Sequence, residues 1–309
     1  MEMRRLDGRV ILVTGSGRGF GRAMAHAYAL EGAQVVAASR TASELEDLEV
    51  SVGARGGSVT TMITDLARVE EIRRLRDEVL DRFGRLDVLV NNAATSPWKT
   101  LEEMTVDDWD RTLDVNLRAP FLLTKAFLGT MKAESRGSVI NVTSRSAEMG
   151  FVAEVGYCPS KYGIEGLTQC LALELQPHNI AVNTLGVSAP PGLRLKPTEM
   201  TLEEARRMPE EVSRLYADDD SMFEAFSEAW AFLALQDAAR VTGQRIGTRE
   251  LADYLKMNGW DSAVSRWGRK LTKAVYVPYD FPESARYQTP EGGFKELVFR
   301  FPKPRVTPR

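Results

Sequence analysis

The stretch GYCPSKYG, Gly156–Gly163, sets a tyrosine and a lysine one helical turn apart. Residues at i and i+4 share a helix face, so Tyr157 and Lys161 would point the same way. A phenol is a poor base at its ordinary pKa of about 10, and a nearby ammonium favours the phenolate. Such a pair can move a proton to or from an oxygen whose charge changes during a reaction. Pro159 predicts that Tyr157 lies in the first turns of its helix, where a missing N–H costs little. Ser144 could hydrogen-bond the same oxygen. Taken singly, these residues have plainer readings, as a rim tyrosine, a solvated lysine and a strand-end serine. Cys158 reads as a small packing residue, because no base partner for a thiol nucleophile is evident.

The elements that would position these groups follow from periodicity. Short apolar runs at Val10–Val13, Gln34–Ala38, Val59–Thr64, Leu86–Val90, Ser138–Thr143 and Ile180–Leu185 read as strands. Several lack polar alternation, as strands buried on both faces do. Helical periodicity runs through Gly21–Glu31, Val69–Phe83, Trp109–Met131 and Lys161–Leu175. The alternation predicts an α/β fold: a doubly wound, Rossmann-type parallel sheet with helices on both faces. Two domains are expected, residues 1–248 for nucleotide binding and catalysis and 249–309 as an aromatic-rich extension. A proline-containing, acidic loop over about 187–225 should lie across the carboxyl edge of the sheet.

The first strand runs into TGSGRGFG, Thr14–Gly21, and then into a helix. Glycines so placed allow a tight turn, close approach to a pyrophosphate and close helix packing. The helix N-terminus adds unpaired N–H groups. Gly15, Gly17, Arg18, Gly19, Phe20 and Gly21 are therefore candidate dinucleotide contacts. The second strand ends at Ser39 and Arg40, where a carboxylate would suit a ribose 2′-hydroxyl. Arg40, with Arg18, would instead pair with a 2′-phosphate, which favours NADP(H) over NAD(H). The alternative is a pair of solvated arginines. Asp65 is placed to accept a hydrogen bond from the adenine amino group, with Leu66 beside it.

Downstream stand NNAA at Asn91–Ala94, Asn116 in LDVNLRAP, Ser144 in INVTS, and the Tyr157–Lys161 pair. With the glycine loop, this ordered set resembles the short-chain dehydrogenase/reductase family from about residue 7 to Gln244. The resemblance implies an NAD(P)(H)-dependent oxidoreductase with Asn116, Ser144, Tyr157 and Lys161 as its catalytic residues. It implies that Lys161 also bonds the nicotinamide ribose and that Asn116 anchors a water relay behind the lysine. Asn91 and Ala93 are expected to support the cofactor. The family's Pro-Gly after the sixth strand is replaced by Val187-Ser188, with Ser188 the candidate cofactor contact there. Beyond Gln244 the family's short terminal strand is expected to be replaced.

The chain has 309 residues, 43% of them hydrophobic and 27% charged, with a formal net charge of -3. That balance excludes bulk attraction to nucleic acid or anionic membrane. No apolar run reaches the roughly 18 residues of a membrane span. Two cysteines and two histidines give no disulfide framework and no metal site. A cytoplasmic homo-oligomer, dimer or tetramer, acting on a small molecule is expected. Ten of the 25 aromatics fall in the last 61 residues, which argues against disorder. The extension could be a packed appendage, a lining of the pocket, a subunit contact or a docking module. Trp98, Met149 and Phe151 hint at a hydrophobic or ring-bearing substrate. The competing functional reading is a non-catalytic NADP-sensing regulatory or interaction protein on the same scaffold.

Overall fold

A computed structural model describes residues 4–273, 282–289 and 293–300. Seven parallel strands form one sheet in the order β3-β2-β1-β4-β5-β6-β7. They are β1 (Val10–Thr14), β2 (Gln34–Ser39), β3 (Val59–Ile63), β4 (Val88–Asn91), β5 (Gly137–Thr143), β6 (Ile180–Gly186) and β7 (Arg245–Gly247). The reversal of strand order between β1 and β4 opens a crevice at their carboxyl ends, where ligands bind in such sheets. β5 is buried at every position and β1 likewise, which explains their unbroken apolar reading. The expected loss of a terminal strand does not hold: Ile246 of β7 pairs with Leu185.

One face of the sheet carries α1 (Gly19–Leu30), α2 (Ala42–Gly53), α9 (Asp219–Ala234) and α10 (Thr248–Trp267). The other carries α3 (Val69–Phe83), α4 (Val106–Leu113), α5 (Ala119–Ala133) and α6 (Tyr157–Leu175). The long helix expected over Trp109–Met131 is broken. Residues 114–118 form a π-helical turn between α4 and α5, a device that frequently marks a functional site. α4 starts on a reciprocal cap between Thr105 and Asp108.

The link from β6 to α9 carries two short helices, α7 (Leu202–Arg206) and α8 (Glu210–Ser213), over the carboxyl edge. In the extension, Leu251, Ala252 and Leu255 of α10 join the same core as α1 and α9. Trp260 donates its indole N–H to Glu228 Oε1 at 2.9 Å. α10 is kinked at Gly259, whose φ of 73° needs a residue without a side chain. Thr272 accepts a bond from Arg245 N and donates its own N–H to Gly243 O. An antiparallel hairpin follows, with β8 (Ser284–Gln288) largely half-buried and β9 (Phe294–Val298) exposed. Much of the expected aromatic extension, including Tyr276, Tyr279, Phe281 and Phe301, lies outside the described residues.

Candidate active site

A cavity of about 310 Å³ runs along the crevice from the glycine loop to Tyr157 and Lys161. Gly15 closes the turn after β1 with φ 65°, and a Cβ there would stand 2.7 Å from Ala93 Cα. Gly19, with φ 60°, opens α1 with no atom within 4 Å of its missing Cβ. Gly15, Gly19, Phe20 and Gly21 line the cavity at this helix start, where a phosphate cradle would lie.

Asn92 ties the loop to the sheet, donating to Thr14 O at 2.9 Å and Gly15 O at 3.2 Å. Asn91, the neighbour singled out from NNAA, points elsewhere. Its side chain is buried, donates to Asn141 Oδ1 at 2.8 Å and does not line the cavity. Asn91 ends β4 with its side chain turned into the sheet, while Asn92 is the first residue free to turn back to the loop. Ser188 also lies off the cavity lining, which Val187 joins instead. Gly17 faces Glu44 and Ser39 Oγ rather than the opening. Phe20, Gly21, Ser39, Arg40, Asp65, Leu66 and Ala93 all line the cavity.

The two arginines differ in their freedom. Arg18 is engaged by Glu44, 3.2 Å from Nη1 to Oε1, and donates to Thr198 O at 3.3 Å. Arg40 is exposed at the cavity wall, and among the described residues it forms no ion pair. Glu44 was not foreseen as a site residue, although its buried carboxylate also accepts a bond from Leu202 N. Asp65 lies 3.3 Å from Arg111 Nη2 and caps Ala67 N at 3.1 Å.

Tyr157 opens α6, and Pro159 sits in its first turn, where its missing N–H leaves no helical bond unmade. Lys161 Nζ lies 5.4 Å from the Tyr157 ring centroid and donates to Val142 O at 2.9 Å. Burial pushes the Tyr157 phenol well above its usual range, with the Glu154 charge adding to the rise and a hydrogen bond to Ser144 opposing it. This reverses the expected drop, because desolvation, reinforced by the Glu154 charge, dominates in the protein alone. Tyr157 therefore rests as a phenol, in the form that can give a proton. Ser144 follows β5 and lies beside the cavity without lining it.

Asn116 lies on the π-helical turn and is 1% exposed. It donates to Thr95 O and Ser160 Oγ, both at 3.0 Å, and accepts from Thr95 N at 2.8 Å. It makes no direct bond to Lys161. Glu199, on the long link, accepts from Thr95 Oγ1 at 2.9 Å and Ser96 N at 2.6 Å. Trp98, Met149 and Phe151 do not line the cavity.

Desolvation lowers Lys161 from 10.5 to about 8, against an opposing Glu165 charge. A lysine depressed in the folded state destabilises the fold while it must be charged, and relief comes as pH rises past its folded pKa. The protein should thus gain stability between about pH 8 and 10.5 from this group. Thermal melts across that window should show a rising limb that Lys161→Met lacks; an unchanged limb in the variant would assign it elsewhere.

The fold and the ordered site meet the comparisons with known proteins. The family model described as "short chain dehydrogenase" matches residues 9–205. The chain belongs to the short-chain dehydrogenase/reductase family and is an oxidoreductase. It is 36% identical to a D-threitol dehydrogenase of Mycolicibacterium smegmatis over 181 residues, covering 59% of this chain and 70% of the relative. It is 33% identical to the 3-oxoacyl-acyl-carrier-protein reductase FabG of Thermotoga maritima, covering 79% of this chain and 97% of that protein. A metagenomic short-chain oxidoreductase solved with NADP superposes with a TM-score of 0.58 at 35% identity, over 60% of this chain and 84% of that one. Among the described residues, no helix is long and apolar enough to cross a membrane, and no cluster could hold a metal ion.

Proposed function

We propose that the protein interconverts an alcohol and a ketone or aldehyde using NADP(H), with Tyr157 as the proton donor and acceptor. The observation that carries this reading is the half-buried Tyr157 beside the buried Lys161 at one end of a cavity whose other end is the glycine loop. The nicotinamide, when bound, supplies or removes the hydride. Tyr157 then gives a proton to the carbonyl oxygen, or takes one from the alcohol, as charge changes there. Lys161, buried against Val142 O, keeps a positive charge beside the phenol and favours its ionised form once the proton has left. Ser144, beside the cavity, favours the Tyr157 phenolate and holds the reacting oxygen. Asn116 fixes Thr95 and Ser160 behind this group.

The residues at the adenosine end fit a dinucleotide. The open N-terminus of α1 suits the pyrophosphate, and Arg40 is an uncommitted guanidinium for a 2′-phosphate. Arg18 can join it only by leaving Glu44. Support for NADP(H) therefore rests first on Arg40. A charge-assisted bond of this kind contributes about 1.5–3 kcal/mol, so Arg40→Ala should weaken NADPH about 10- to 100-fold and leave NADH nearly unchanged. Calorimetry with both nucleotides tests this. Tighter binding of NADH by the wild type would refute the phosphate assignment. Screening alcohols and ketones by nicotinamide absorbance would then identify the substrate class.

A further inference from the structure

Tyr157 has a second polar neighbourhood besides Lys161. The Ser144 hydroxyl donates to Ser146 Oγ at 3.3 Å and accepts from Ser146 N at 3.2 Å. The Ser146 hydroxyl in turn donates to Glu154 Oε2 at 2.6 Å. A chain of hydrogen bonds therefore runs from Ser144 through Ser146 to the Glu154 carboxyl group, and Ser144 in turn acts on the Tyr157 phenol. Ser146 is buried and Glu154 half-buried.

The backbone is bent to keep Glu154 there. Ala153, immediately before it, has φ 63° and is buried. Glu154 forms an isolated parallel bridge with Lys99, which itself follows Trp98 at φ 46°. Non-glycine residues in this region are strained, and such strain gathers at functional sites. Each immediately precedes one partner of the bridge that joins the segment after β4 to the segment before α6.

No cation neutralises Glu154 among the described residues. Lys99 Nζ is held by Asp108 at 2.6 Å, and Arg245 by Glu148 and Glu165. The Cys158 thiol lies 3.5 Å from Glu154 Oε2 and is neutral, since burial pushes it up to about 11. Glu199 is the other carboxylate acting on Tyr157, and it is bonded to Thr95 and Ser96.

An ionised carboxylate only accepts hydrogen bonds, whereas a protonated one can donate. The ionised form takes the Ser146 proton, so Ser146 accepts from Ser144. Ser144, which already accepts from Ser146 N, then has one lone pair left to turn toward the reacting oxygen, which suits a hydroxyl. A protonated Glu154 lets Ser146 turn its proton to Ser144, and Ser144 can donate to a carbonyl. We propose that Glu154 is a positioning residue that, through Ser146, sets whether the Ser144 hydroxyl accepts from or donates to the substrate oxygen. This rests on the reading of Ser144 and Tyr157 given above. Burial raises the pKa of Glu154, although its bonds to Ser146 and Cys158 oppose the rise. The two polarities therefore exchange nearer neutrality than an ordinary glutamate would allow.

The test uses the full chain loaded with NADP⁺ and follows Tyr157 ionisation by phenolate absorbance, with Tyr157→Phe subtracted. Glu154→Gln removes the charge and keeps the shape, and should lower the Tyr157 transition by roughly one pH unit. Ser146→Ala leaves the charge but frees the Ser144 proton to bond the phenolate, so it should lower the transition as well. A shift with Glu154→Gln alone would mean through-space repulsion only and would overturn the inference, as would no shift in either. As a second readout, NADPH-dependent reduction of diacetyl should rise in the wild type as pH falls through the Glu154 titration. Glu154→Gln should flatten that limb, and an unaltered limb would count against the inference. Tyr157→Phe separates the two levels. If that variant still reduces diacetyl at the wild-type rate, the reading of the active site has failed, rather than the role of Glu154.

Discussion

Tyr157→Phe is expected to cut turnover by about 10²- to 10⁴-fold, the usual contribution of a positioned acid or base, while NADPH binding stays nearly unchanged. The substitution removes one hydroxyl and keeps the ring that stands 5.4 Å from Lys161 Nζ. Tyr157 opens α6, and the helix and its packing do not depend on the phenol oxygen. The loss should therefore appear in kcat and not in cofactor affinity, which marks an interaction made in the transition state. Steady-state rates paired with calorimetry separate the two. Full turnover by the variant would remove Tyr157 from the chemistry.

The second large effect concerns stability. Trp230→Ala should cost about 3–5 kcal/mol, the range for truncating a fully buried tryptophan. Trp230 is completely buried on α9, with Phe20 5.3 Å and Phe226 5.9 Å away between ring centroids. Among the described residues its indole N–H has no hydrogen-bond partner, so Trp230→Phe should recover much of the loss. Phe20 belongs to the glycine loop and the first turn of α1. The alanine variant should thus weaken NADPH binding as well as folding. Denaturant unfolding at constant slope, with a falling midpoint, is the check. A change below about 1 kcal/mol would show that the surrounding rings close the gap.

Much of the frame was legible in the residues themselves. Apolar strands with glycine-rich turns predict the parallel sheet, and TGSGRGFG predicts a phosphate-facing helix start, because both signals are local. Tyr157 and Lys161 were legible through helical spacing, reinforced by Pro159. What escaped depends on contacts distant in sequence. No helix was foreseen between Arg40 and Val59, because α2 buries only Leu45, Leu48 and Val52 among its apolar residues. With α2 missing, Glu44 could not be placed against Arg18, and the two arginines looked equally free. No local pattern marks Glu154 or Glu199, because only β5, α6 and the long link bring them to Tyr157. The direction of the Tyr157 shift was likewise hidden, since burial is a property of the packed whole.

The link between β6 and α9 is fastened at both ends of the cavity. Thr198 and Leu202 are held at the adenosine end by Arg18 and Glu44, and Glu199 is held at the catalytic end by Thr95 and Ser96. A dinucleotide lying along the crevice would pass beneath this strap, so its exit requires those bonds to part. Release of the spent cofactor is then expected to share control of steady turnover with hydride transfer. Rapid mixing should show a burst of nicotinamide oxidation before the steady rate, and Glu199→Ala should raise that steady rate while leaving the burst rate near its original value. Absence of a burst would place the slow step in the chemistry.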